Sequence, residues 1–193
     1  MRHNIPVFCV VFLATLGLIQ ATFATGTRNN ATYRVIVAPA CTNDLGEIVT
    51  FETVTSTDAK MAAGMARRDQ DGTPTVYRFH YQTAPPALQR FIDLHECAHH
   101  QTGDIDRPHP PRNSPDHMMA ESIADCIAIL RIRDEFTSDD INLVNVSKAL
   151  STAMAGAKFP EITIKSRLKN ITYCHNNYGA ADSFITGLLR QRQ

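Results

Sequence analysis

The chain has 193 residues, 19 basic and 19 acidic, and 44% of it is apolar. Balanced charge excludes an electrostatic footprint for nucleic acid or an anionic membrane surface, and the apolar content excludes a disordered chain. The length gives room for one domain with a real core.

The first residues, MRHNIPVFCVVFLATLGLIQATFATG, read as a secretory signal. Arg2 supplies the positive end, Ile5 to Ile19 the apolar run, and Ala21, Ala24 and Gly26 the small residues of a cleavage point. A membrane span needs ~20 apolar residues, more than this run supplies. The expectation is a signal peptide over 1–24 and a single domain over 25–193, secreted or periplasmic, with no stable membrane insertion after cleavage. An uncleaved leader would instead anchor the protein. Cys41, Cys97, Cys126 and Cys174 then remain, enough for two disulfides in any of three connectivities, with buried free thiols the alternative. None sits in a Cys-x-x-Cys pair, which argues against a thiolate zinc site.

Tyr33 to Val37 and Ile48 to Thr55 are rich in β-branched residues, with turn residues Asp44 to Gly46 between them. Asp58 to Arg68 has helical composition and Asp71-Gly72 breaks it. Thr75 to Tyr81 alternates, placing Tyr77, Phe79 and Tyr81 on one face and Val76, Arg78 and His80 on the other.

Pro85-Pro86 opens a helix in which Leu88, Phe91, Ile92, His95 and His99 recur at three-and-four spacing, and Gly103 closes it. After a proline-rich loop, Ser114-Pro115 caps a second helix that runs to about Arg133 and is apolar nearly all round. A third helix is expected from Ser138 and a fourth near Ile164. The fold class is therefore α+β, a small antiparallel or mixed sheet packed on a mainly helical core.

His95-Glu96-Cys97-Ala98-His99 fits H-E-x-x-H. Helix positions four apart differ by only ~40°, so both imidazoles project from one face and can chelate one ion. Glu96 lies ~100° from His95, beside the metal rather than on it, where it can take a proton from water. Cys97 lies ~200° from His95 and is therefore a packing or disulfide residue, and His100 points away as a solvated or supporting residue. His109 and His117 read as surface loop histidines. Chance would produce the pattern only about 0.01 times per chain of this composition.

Glu121 and Asp125, also four apart, share one face of the apolar second helix. A buried carboxylate there needs a charge partner or a metal. Zinc held by the two histidines and Glu121 would supply one, and Asp125 could accept the other ring N–H of a ligating histidine. Pairing of both acids with nearby arginines is the alternative.

HECAH followed by ESIAD, with 22 residues from His99 to Glu121, resembles the gluzincin branch of the zinc metallopeptidases. The resemblance covers about residues 75 to 133 and implies a zincin-like domain holding one zinc per chain. His95, His99 and Glu121 would be the metal ligands, Glu96 the general base, and Asp125 the partner of His95. The chain also resembles small exported members of that branch, in which a His-Pro and a later arginine complete the site. Here Phe159-Pro160 and Arg167 occupy those places, so the histidine is missing and Arg167 becomes a catalytic candidate, with Tyr173 and His175 behind it.

The expected function is that of an exported zinc-dependent peptidase acting on peptide or protein substrates. Its rival is a non-catalytic zinc-binding protein on the same scaffold, an inhibitor, chaperone or assembly factor. Two further expectations follow. The site helices must pack together to share a metal, which favours Cys97–Cys126 and Cys41–Cys174 bonds. The strand Thr75 to Tyr81, directly ahead of the metal helix, is expected at a sheet edge, offering Arg78 and His80 to solvent or substrate.

Overall fold

In the computed structural model, residues 32–55 and 62–192 are described. The signal peptide expected over 1–24 lies outside them. The described chain is α+β: a three-stranded mixed sheet precedes five helices, β1 Thr50–Val54, β2 Ala63–Arg68, β3 Pro74–Phe79, α1 Pro86–Gln101, α2 Pro115–Arg131, α3 Leu143–Gly156, α4 Glu161–Asn177 and α5 Ala181–Arg192.

The strand order is β1-β3-β2, with β1 parallel and β2 antiparallel to β3. This corrects two expectations. β3 is the central strand, not an edge, and Arg78 on it is buried rather than offered to substrate. Its guanidinium forks onto Asp93 of α1, Nε to Oδ1 at 2.8 Å and Nη2 to Oδ2 at 2.6 Å. The edge on the helix α1 side is β2, drawn from the segment expected to be helical. AGMARR carries no strong β-formers, so its extended form comes from pairing along the whole of β3 rather than from local preference.

The segment expected as a first strand is extended but unpaired with the sheet. The buried Gln89 of α1 pins it, accepting from Ile36 N–H at 2.9 Å and donating to the Arg34 carbonyl at 3.1 Å. The two site helices begin where their punctuation said. Pro86 sits in the first turn of α1, and the Ser114 hydroxyl accepts from His117 N–H to cap α2. α2 ends at Arg131 and widens into a π turn over Ile132–Phe136. α3 starts at Leu143 under an Asn142 cap, later than expected, because Ser138 to Ile141 form a turn ahead of it. α5 was not expected.

Leu88, Phe91 and Leu94 of α1 meet Ile129 of α2, Ile132, Val146 and Leu150 of α3, and Ile171 of α4 in the main core. α1 thus lies between the sheet and the other helices, one face toward each.

Two disulfides cross-link the chain, Cys41–Cys97 and Cys126–Cys174. The expected pairing is corrected by helix facing. Cys97 turns toward the sheet, packed with Cys41, Val49 and Val76, while Cys126 turns toward α4.

Candidate metal centre

α1 carries His95 and His99 one turn apart, and α2 crosses it so that Glu121 completes a cluster of three metal-capable groups. His95 Nε2 and His99 Nε2 are 3.3 Å apart. Glu121 stands 3.4 Å from the first through Oε2 and 3.5 Å from the second through Oε1. Four ligands at ~2.0–2.1 Å from a tetrahedral ion are separated by about 3.3–3.4 Å. The two nitrogens have that spacing and the Glu121 carboxylate faces both, one oxygen to each, so the three groups could hold a divalent cation.

The opposite ring nitrogens are supported. Asp125 Oδ1 comes within 2.9 Å of His95 Nδ1, out of line for an ideal hydrogen bond. Arg167 forks onto that same carboxylate, Nε to Oδ2 at 2.8 Å and Nη2 to Oδ1 at 2.7 Å. Arg167 therefore stands behind His95, on Asp125, and is not part of the cleft wall. On the other side, His99 Nδ1 lies 3.1 Å from Oδ2 of Asp104, just past the end of α1.

Electrostatics favour a cation between these groups. Burial alone would lower both imidazoles, but the acids beside them win. Asp104 and Glu121 hold His99 up at about 10, and Asp125 and Glu121 hold His95 above its ordinary value. Burial works against ionised Glu121, yet the two histidines bring it far below the usual carboxylate range. The cluster attracts positive charge strongly, which a metal ion satisfies as well as protons do.

Glu96 is near but separate. It lines, with His99 and Glu121, a cleft of about 600 Å³ bounded by β2 on one side and by the 105–110 loop and the start of α2 on the other. Its Oε2 accepts from Ala66 N–H at 2.8 Å. A Cβ at Gly64 would collide with the Glu96 side chain and with Ile92, so only glycine lets β2 approach α1 this closely.

His109 and His117 also line the cleft, closer to the site than surface histidines need be. His100 is not solvated: it is fully buried, with Nε2 3.1 Å from the Thr75 carbonyl, and joins α1 to β3. Tyr173 is exposed against Tyr178, and His175 contacts Asn176; neither lines the cleft. Sequence reasoning missed Gly64, Ala66, Asp104 and Arg192. Asp104 alone had a signal, an acid directly after the glycine that stops α1.

No family model matches the chain, and no curated protein or solved structure matches it. The site's chemistry rests on its own geometry and on the motif.

Proposed function

We propose that the protein is a zinc-dependent peptidase, with His95, His99 and Glu121 as ligands and Glu96 as general base. The observation that carries this reading is the grouping of two imidazole nitrogens 3.3 Å apart with a carboxylate that faces both, beside a second glutamate, Glu96, that lines the same cleft. Zinc in such a site supplies a Lewis acid that polarises a carbonyl and acidifies water.

The chain's own groups do the rest. Glu96 takes the proton from the attacking water as its oxygen adds to the peptide carbonyl carbon. It then gives that proton to the amide nitrogen as the C–N bond breaks, releasing an amine and a carboxylic acid, whose remaining proton passes to the amine or to solvent. The Ala66 N–H keeps the Glu96 carboxylate aimed into the cleft. β2, with no further strand beyond it among the described residues, runs along the cleft, where an extended peptide could add to the outward backbone groups that Glu96 does not engage.

Two disulfides are compatible with an extracellular location, and no helix of the described residues is long and apolar enough to cross a membrane. On the disulfides, together with the signal peptide expected from the sequence, we read the protein as secreted or periplasmic. The non-catalytic zinc-binding reading draws on one observation: Arg167 is engaged by Asp125, so α4 offers no arginine to the cleft.

The Glu96→Gln variant separates the two. Zinc content and thermal midpoint should match the wild type while cleavage of a broad peptide library falls by about 100-fold or more. Wild type and variant that cleave the library equally poorly, both loaded with zinc, would establish the non-catalytic protein instead.

A further inference from the structure

The support behind His95 has a counterpart behind His99, reached from the last helix. Nη1 of Arg192 donates to Asp104 Oδ1 at 2.8 Å and to the Thr102 carbonyl at 2.6 Å. Asp104 Oδ2 accepts from the Thr102 hydroxyl at 2.8 Å and faces His99 Nδ1 at 3.1 Å. The arrangement imidazole, carboxylate, guanidinium therefore occurs twice: His95–Asp125–Arg167 and His99–Asp104–Arg192. In both, the carboxylate meets Nδ1, which leaves Nε2 facing the donor cluster.

A carboxylate at Nδ1 keeps the ring proton there and frees the Nε2 lone pair for a metal. It does so only while it is itself held still. Asp104 follows Gly103, whose φ of +68° turns the chain back beneath His99, and Arg192 is its only guanidinium partner among the described residues. α5 does not depend on that contact for its seat. Phe184, Ile185 and Leu188 pack on Ala98, Ala124 and Ile127.

We propose that Arg192 is a positioning residue of the metal centre: by fixing Asp104 it holds the His99 ring with Nε2 presented, and so makes α5 part of the site. The inference rests on the metal-site reading above.

The test measures zinc affinity of the whole protein by competition with a chromophoric chelator, with Co2+ absorption as a spectroscopic check of ligand geometry. Arg192→Ala should bind zinc 10- to 100-fold more weakly and alter the Co2+ spectrum. Its metal-free thermal midpoint should match the wild type, and Arg192→Lys should recover part of the affinity. In an Asp104→Asn background, Arg192→Ala should add little, because it acts through that carboxylate. Equal zinc affinity in wild type and Arg192→Ala overturns the inference and leaves the metal site standing. So does a full additional loss in the Asp104→Asn background, or a loss of affinity that only follows a lowered metal-free midpoint. A wild-type protein that takes up no zinc overturns both readings.

Discussion

Ala66 donates its backbone N–H to the Glu96 carboxylate at 2.8 Å, so the strand beside α1, and not α1 itself, sets the aim of the proposed base. Gly64, two residues earlier, makes that approach possible. Gly64→Ala should displace Glu96, leave zinc content unchanged, and lower kcat/KM by about 100-fold, the cost of a misplacement of about 1 Å. Zinc analysis and peptide kinetics check it; normal kinetics would show that β2 does not orient Glu96.

Removal of a ligand should act differently. His95→Ala and Glu121→Ala are each expected to lose stoichiometric zinc, measured by elemental analysis after dialysis. Asp125→Asn should retain zinc but bind it 10- to 100-fold more weakly. Full zinc in either alanine variant would refute the ligand assignment.

The buried Arg78–Asp93 fork makes a prediction about stability rather than activity. Asp93→Ala would leave an uncompensated guanidinium in the interior and should cost about 3–5 kcal/mol. Arg78→Pro should unfold the protein, since β3 pairs on both sides and has no spare backbone donor. Denaturant titrations measure the first, and circular dichroism the second; a folded proline variant would contradict the central position of β3.

The disulfides enclose sequence separations of 56 and 48 residues. Loop-closure entropy for such spans amounts to about 4 kcal/mol each, so Cys41→Ala with Cys97→Ala should lower unfolding free energy by about that much. Intact mass with alkylation, before and after reduction, checks the bonds. Four thiols alkylated without reductant would disprove them, and peptide mapping distinguishes the pairing.

Acid should weaken the contact between β2 and the turn after α1. Arg68 bonds both oxygens of Asp106 and also reaches Glu47, and it holds both acids below their ordinary values. A depressed folded-state pKa means the unfolded chain binds protons first, so this contribution is present above about pH 4 and lost as pH falls below it. Arg68→Met should therefore flatten the decline of the thermal midpoint between pH 4 and pH 2. Parallel curves for variant and wild type would show that the contact carries no stability.

α1, α2 and the grouping of His95, His99 and Glu121 were legible from local rules: proline and serine at helix starts, and four-residue spacing that puts two side chains on one face. What escaped depends on which face meets which neighbour. β2 looked helical because Ala, Gly and Met say little by themselves, and only a second strand across from Thr75 to Phe79 extends them. Cys97 was read as turned away from His95, and that same rotation carries it toward the sheet and away from Cys126, a consequence visible only once α2 is seen to pack on the histidine side. Asp104 and Arg192 lie 88 residues apart, and no spacing rule joins residues so distant.

The two disulfides join consecutive cysteines, first to second and third to fourth among the four of the described residues, so neither covalent loop encloses or interleaves with the other. Pairing of this kind has an order in time as well as in space. A chain emerging N-terminus first into an oxidising compartment would meet each correct partner before a wrong one became available, and could close both bonds without reshuffling. His95 and Glu96 fall inside the first loop, His99, Glu121 and Asp125 between the loops, and Arg167 inside the second, so the site is assembled only when the two finished halves dock.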